Sequence, residues 1–174
     1  MRIATKKGDL GESCLYSGRK LRKSALIFDV LGDLDELNSV LGLAKVAVKS
    51  FEEVVGLMDH MQEDVYRIMS IIGNEGQSPK AIEMIQEKDV EYLEEALERV
   101  ENEVGIITKF IKPGVNEISA RMHVARSVCR RAERKAVMHM EELKMNEVIV
   151  KYLNRLSDLL FILAYKFDKT PQLL

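Results

Sequence analysis

An all-α fold, a four- or five-helix up-and-down bundle with a polar N-terminal loop, is what this sequence predicts, and three observations carry the prediction. The helix formers Leu, Ala, Glu, Lys and Met dominate a chain with no tryptophan and only 6% aromatic residues, so strand-building side chains are scarce. Apolar residues recur at helical spacing in several separate stretches. Glycine and proline punctuate the intervals, at Gly73-Asn74-Glu75-Gly76, at Ser78-Pro79 and at Lys112-Pro113-Gly114. A chain of 174 residues fits one domain with one sizeable core. The domain is expected to span 1–174, with a polar N-terminal loop over 1–23 and the bundle over 24–168.

Residues 1–23 hold Gly8, Gly11 and Gly18 among hydroxyl, lysine and acidic side chains, with little apolar periodicity, which predicts a polar loop with exposed amides. The first helix is expected from about Ser24, as N-cap, to about Lys49, with Leu26, Val30, Leu34, Leu37, Leu41, Ala44 and Val48 on one face. The second covers Phe51 to Ile72. After Ser78-Pro79 a short helical stretch starts near Lys80, and a third full helix runs from about Asp89 to Glu103, with Val90, Leu93, Leu97 and Val100 inward. The fourth runs from about Asn116 to Leu143 on a stripe of Ile118, Met122, Ala125, Cys129, Ala132 and Ala136. The fifth runs from about Asn146 to Phe167 on Leu153, Leu156, Leu159, Leu160 and Leu163, with Pro171 beyond it. Short connections between such helices favour antiparallel neighbours.

Several functions are excluded early. With Lys+Arg 26 against Asp+Glu 28 there is no positive field to gather a phosphate backbone, so nucleic acid is not an expected partner. No apolar run approaches the roughly 18 residues of a membrane helix, and the start lacks a secretory signal, so a cytoplasmic location is expected. Cys14 and Cys129 have no metal-type spacing, which argues against a disulfide framework or zinc site; Cys129 is expected in the core. None of His60, His123 and His139 follows a Glu by three residues, and no GxSxG, HExxH, GxGxxG or P-loop occurs. The histidines are expected at the surface or the core edge rather than as catalytic bases.

The candidate chemistry lies beside the core stripes. Arg126, Arg130 and Glu133, at i, i+4 and i+7, bring two guanidinium groups and a carboxylate to one edge of the fourth helix. Spacing alone favours a solvated Arg/Glu face with i, i+4 pairs. The first helix carries Gly32, Asp35, Ser39 and Gly42 opposite its leucines, small residues that let another surface approach, either a neighbouring helix or subunit or a ligand. Asp35 on that strip calls for a cation such as an arginine of the fourth helix. On the fifth helix Asn154 and Asp158 project away from the leucines with Phe161 nearby, and Arg155 and Asp158 can pair at i, i+3. Thr5-Lys6-Lys7-Gly8-Asp9-Leu10-Gly11-Glu12-Ser13 supplies the amides, hydroxyls and lysines that cradle a polyphosphate.

Four blocks in this order, TKKGDLGES (5–13), LDELNS (34–39), KPG…HVARSVCRRAER (112–134) and NRLSDLLF (154–161), resemble the PduO-type ATP:cob(I)alamin adenosyltransferases over nearly the full chain. The resemblance implies a five-helix bundle assembling as a homotrimer, with ATP between subunits, Mg²⁺ on its phosphates, and cobalamin as the acceptor. It implies that Thr5, Gly8, Asp9, Gly11, Ser13 and Lys23 wrap the triphosphate. It further implies that Arg126 binds ATP while paired with Asp35 across a subunit boundary, and that Arg130, Glu133 and Asn154 complete the nucleotide contacts. Arg126, Arg130 and Asp35 are thereby the catalytic candidates. Phe110 resembles the aromatic residue that displaces the lower axial ligand of the corrinoid, with Arg155 and Asp158 ordering the corrinoid side. Where the family usually has threonine, Gly-Gly and Ala-Arg, this chain has Ser13, Gly114-Val115 and Ala164-Tyr165; Ser24-Ala25 replaces acidic or amide residues, and a C-terminal lid is expected to be short or missing. A cob(II)alamin reductase and an adenosylcobalamin-dependent mutase are the implied partners. The competing reading is a non-catalytic carrier that binds ATP and adenosylcobalamin and delivers the coenzyme.

Overall fold

The computed structural model describes Lys6 and residues 8–76, 82–108, 110–142 and 145–169. Thr5, Lys7, the Ser78-Pro79 break, the expected start at Lys80, Leu143 and Pro171 lie outside the described residues. Five long helices follow a short hairpin: β1 (Glu12–Cys14), β2 (Lys20–Arg22), α1 (Leu26–Ala47), α2 (Glu52–Gly73), α3 (Glu87–Val104), α4 (Glu117–Met138) and α5 (Glu147–Lys169). The all-α bundle is therefore as the apolar spacing predicts. Among the described residues no helix is long and apolar enough to cross a membrane.

The N-terminal segment is not only a loop. β1 and β2 pair antiparallel in the register Glu12↔Arg22, Ser13↔Leu21, Cys14↔Lys20. Gly18 sits at φ +86, in the left-handed region that closes the turn without a Cβ clash. Leu15 is buried and pins the hairpin to the core. Tyr16 lies over Gly73, where an added Cβ would come within 3.1 Å of the ring. Arg19 pairs with Glu75 at 2.7 Å. The hairpin thus seats on the C-terminal end of α2.

Ser24 does not cap α1. The Ala25 amide donates to Arg22 O at 2.9 Å, so a turn leads from β2 straight into the helix, and Ala25 stands at the N-cap without a side-chain bond. At α4 the expected cap is present, since Asn116 Oδ1 accepts from the Ser119 amide at 2.9 Å. That helix stops at Met138, short of the expected Leu143; a turn closed by Met145 N on Met140 O at 3.0 Å brings Met145 back into the core. Residues 82–86 are not helical. α3 begins in a capping box between Gln86 and Asp89.

α1 packs on α2 and α4, and α5 packs on α4 and α3. Short connections do make neighbours of α1 with α2 and α4 with α5, whereas α3, reached and left by long connections, lies against α5. Two polar assemblies lock these layers. Between α1 and α4, Asp33 takes Arg131 at 3.2 Å and Lys135 at 3.2 Å, Glu36 also bonds Arg131, and Asp29 lies 3.9 Å from Lys135. Where α2, α3 and α5 meet, Arg67 bonds both Asp64 and Asp89 and donates to Met84 O at 2.9 Å and Glu83 O at 3.2 Å. Tyr152 of α5, fully buried, faces this knot; burial first, and then the Asp64 carboxylate, push its hydroxyl pKa up.

Candidate functional site

The sequence-predicted residues sort into two groups. The first is built on the hairpin. Gly11, at φ +80, turns the chain so that its carbonyl accepts the Lys23 amide at 2.8 Å. That bond swings the Lys23 side chain over Gly8, where its Nζ lies 3.0 Å from the point a Cβ would occupy. Gly8, Gly11 and Lys23 are therefore one local unit, with Ser13 half-buried on β1 and Asp9 exposed at the tip. Lys23 meets no carboxylate among the described residues. Thr5 lies outside the described residues.

The second group lies on the outer seam of α4 and α5. Arg126 is half-buried, with its guanidinium carbon 5.9 Å from the centroid of the Phe161 ring. Its Nε is buried without an acceptor. Arg130, one turn on, is exposed, and Glu133 accepts from Asn154 Nδ2 at 2.9 Å across the seam. Beneath them Cys129 donates to Leu153 O at 3.2 Å. Burial pushes the Cys129 thiol up strongly, with Glu133 and Asp158 adding to the effect and Arg130 opposing it. These three charges therefore surround one buried point, and the thiol itself is no nucleophile. Arg155 bonds Glu94 of α3 at 3.0 Å and Asp158 at 3.0 Å, so the expected i, i+3 pair is formed and tied to α3.

Asp35 is exposed and has no ionic partner among the described residues. Three fourth-helix cations reach α1: Arg121 donates to Leu43 O at 2.9 Å, and Arg131 and Lys135 take Asp29, Asp33 and Glu36. Gly32 is open on its outer side, and Gly42 admits Gln62 of α2, whose Nε2 donates to Asn38 O at 3.0 Å. Small residues on this strip serve helix packing at one end and leave a free surface at the other. No hydrogen bond or ion pair among the described residues joins the hairpin or Asp35 to the α4–α5 seam.

Phe110 projects fully into solvent ahead of Pro113 and Gly114. Those two residues, with Glu36, His123, Arg126 and Arg134, edge a cleft of 710 Å³ along α4. Sequence reading put no function on His123. Its residue is 4% exposed, its ring lies 6.1 Å from Phe161, and neither ring nitrogen has a hydrogen-bond partner. Burial first, and then the Arg126 charge, hold its pKa below the usual imidazole value, against the pull of Asp168. Asp168, near the end of α5, buries both carboxylate oxygens without a donor. The available signal was a histidine at i−3 from Arg126, read only against metal and base motifs. No group of three or more metal-ligating side chains exists among the described residues, so a divalent ion here needs a ligand's own oxygens.

A sequence model of the cobalamin adenosyltransferase family matches residues 3–167. The corrinoid adenosyltransferase PduO of Citrobacter freundii is 33% identical over 169 residues, covering 97% of this chain and 50% of the relative. A cobalamin adenosyltransferase of Cupriavidus metallidurans is 36% identical over 163 residues, covering 94% and 86%. The chain thus spans about half the length of the PduO relatives it matches. Among solved structures, a variant PduO-type ATP:corrinoid adenosyltransferase from Lactobacillus reuteri, complexed with cobalamin and ATP, superposes with a TM-score of 0.87 at 29% identity, covering 96% of this chain and 91% of that one.

Proposed function

The chain belongs to the cobalamin adenosyltransferase family, and from that membership we propose that it transfers the 5′-deoxyadenosyl group of ATP to the cobalt of cob(I)alamin, forming adenosylcobalamin and releasing triphosphate. The observation that carries the reading is Arg126, held on the Phe161 ring with a buried Nε and no acceptor. A half-buried guanidinium with its Nε buried and unpaired is a standing site for an anion. Lys23 and Arg130, also without carboxylate partners among the described residues, extend the same cationic character to the hairpin and the next turn of α4.

The chemistry asks little of the protein beyond charge and position. Cobalt attacks C5′, the C5′–O bond breaks, and its electron pair leaves with the triphosphate. No side chain has to act as nucleophile or base, which agrees with a seam whose one thiol is buried and protonated. Arg126, Arg130, Lys23 and the amides around Gly8 and Gly11 would neutralise the leaving group, while Glu133 and Asn154 would orient the nucleoside. Magnesium would ride on the phosphate oxygens.

The two groups of site residues do not meet within one protomer, so we propose a homotrimer in which the hairpin and Asp35 of one subunit close on Arg126 of the next. Exposed Asp35, the open face at Gly32 and the half-exposed Val124 on α4 support this arrangement. Phe110 would cover the lower face of the corrin, with Arg155 and Asp158 at its edge. A reductase would supply cob(I)alamin and a mutase would accept the product.

Anaerobic mixing of the protein with cob(I)alamin and Mg-ATP tests the proposal. Formation of the adenosylcobalamin spectrum over many turnovers is the expected result. A single stoichiometric equivalent would make the protein a carrier, and no product at all would overturn both readings.

A further inference from the structure

The hairpin carries the phosphate loop at one end and meets the bundle at the other. Gly8, Gly11 and Lys23 make the first end, joined by Gly11 N on Gly8 O at 3.2 Å and Lys23 N on Gly11 O at 2.8 Å. Leu15 pins the strands, but a cavity of 220 Å³ beside Leu21, Ala25 and Ile27 leaves that flank of the hairpin incompletely packed against α1. The second end is held by the last turn of α2. The Ser17 amide donates to Gly73 O at 3.4 Å, and Arg19 Nη1 lies 2.7 Å from Glu75 Oε1. The Tyr16 ring covers Gly73, and Tyr66, two turns back on α2, pushes the Tyr16 hydroxyl pKa up, by hydrogen bonding first.

Two residue choices at the end of α2 run against what a helix end favours. Gly73 is the last helical residue and has no left-handed φ, so alanine would suit the backbone better. What opposes alanine is the ring, since a Cβ there would stand 3.1 Å from Tyr16 Cδ2. Beyond it the chain leaves through a Schellman turn, with Gly76 N on Ile71 O at 3.0 Å and Glu75 N on Ile72 O at 2.9 Å. The left-handed residue of such a turn is usually glycine, yet here it is Glu75 at φ +57, and its carboxylate reaches Arg19. With side chains 60% and 35% exposed, that ion pair adds little to stability. A glycine stands where alanine fits and a glutamate where glycine fits, and both exchanges face the hairpin.

We infer that Gly73 and Tyr16 are positioning residues for the phosphate loop: the ring seated on the bare backbone of α2 sets where Gly8, Gly11 and Lys23 stand when the polyphosphate arrives. β1, from Glu12 to Cys14, spans only about 10 Å. A displacement of the ring at one end is therefore carried to Gly11 at the other. The inference rests on the proposed function for the role of the loop, and it assigns control of that loop to a helix end outside every nucleotide contact named above.

Calorimetric titration with Mg-ATP and with Mg-triphosphate, alongside steady-state kinetics, tests it. Gly73→Ala and Tyr16→Ala should each weaken both ligands about tenfold, the worth of one charge-assisted hydrogen bond lost. Tyr16→Phe, which keeps the ring, should stay within about twofold of the wild type. The loop grips the polyphosphate before and during the reaction, so the loss should fall mainly on KM for ATP, with kcat and KM for cob(I)alamin kept within about threefold. Gly73→Ala added to Tyr16→Ala should cost nothing further, because the new methyl group then meets no ring. Undiminished affinity in both single variants overturns the inference and leaves the proposed function standing. So does a loss confined to kcat or to the melting temperature with ATP binding intact. A wild type that transfers no adenosyl group, while triphosphate affinity still falls in the variants, would remove the proposed function and keep the positioning role. A wild type that binds neither ligand would remove both.

Discussion

Opposite faces of α5 carry two buried polar assemblies that obey different rules. On the face toward α2 and α3, Arg67 stands between Asp64 and Asp89, and the Gln86 amide donates to Asp89 at 2.7 Å. On the face toward α4, Arg126, His123 and Asp168 bury polar atoms that bond to nothing. The first assembly is closed around its guanidinium: charge meets countercharge and main-chain carbonyls take the remaining hydrogens, while Asp64 Oδ2 and the Tyr152 hydroxyl stay without a hydrogen bond. The second is open, and its free energy is held in reserve for something that arrives. Buried polarity by itself therefore does not mark a functional site, and what separates the two is whether the arginine meets a countercharge among the described residues, as Arg67 does and Arg126 does not.

The largest expected effect breaks the open side. Arg126→Ala should reduce adenosyl transfer by about 100-fold to 1,000-fold, the scale of losing one preorganised charge at a leaving group. Its melting temperature should change little, because among the described residues the guanidinium makes no ion pair and packs on the Phe161 ring. Arg67→Ala is the counterpart. It strands Asp64 and Asp89 in the interior and should cost about 3 kcal/mol of stability, a fall of roughly 10 °C in Tm, with kcat of the folded fraction kept within a few-fold. Steady-state rates and thermal melts on the two variants decide the matter. Should Arg126→Ala melt early while Arg67→Ala stays cool and inactive, the assignment of structure to one face and function to the other is reversed.

Phe110 sharpens the comparison at the rim of the open side. It is fully exposed and packs on nothing, so Phe110→Ala should not change stability. If the ring covers the lower face of the corrin, the variant should lose about tenfold or more in the reaction that starts from cob(II)alamin and a reductase, where the axial ligand has to be excluded. It should lose far less with preformed cob(I)alamin. Equal losses in the two assays would remove this role.

How far the sequence foretold these features follows from the range of the interactions. The five helices were legible because a 3.6-residue apolar repeat is a local signal renewed at every turn, as on α5 from Leu153 to Leu163. The hairpin was not, since three-residue strands are too short for a period to register, although Ser17-Gly18 marked the turn. Arg126, Glu133 and Asn154 were singled out by spacing and by family resemblance as candidates, and the Glu133–Asn154 bond brings two of them together. The knot was invisible for a different reason. Arg67 and Asp89 lie on different helices, and no rule of sequence spacing links a side chain of α2 to the capping box of α3. The α1–α4 seam was half-visible: Asp29, Asp33 and Glu36 repeat at i, i+4 and i+7, and Arg131 and Lys135 at i, i+4. Asp35, read as calling for a cation such as a fourth-helix arginine, stands two residues from Asp33, a shift that turns a side chain by about 200° on a helix, and within the protomer it is Asp33 that faces α4.

The smallest expected effect separates the two faces by pH. Burial alone would raise the Asp89 carboxyl, but the Arg67 hydrogen bond, the Gln86 amide and the Arg67 charge hold it below its unfolded value. The unfolded chain then takes up the proton first as the pH falls, so this contribution is complete above about pH 4 and drains below it. His123 also titrates low in the folded state, because burial and Arg126 oppose its charge while Asp168 favours it and the Phe161 ring offers no acceptor. Here too the unfolded chain binds the proton first, but the loss begins below about pH 6.5. Melting curves at pH 7.5 and 5.5 should therefore show the wild type losing more stability over that interval than His123→Phe, whereas Asp89→Asn should differ in slope from the wild type only below about pH 4. Parallel slopes for wild type and His123→Phe between pH 7.5 and 5.5 would mean that the imidazole already has a partner, and the open face would then be as closed as the knot.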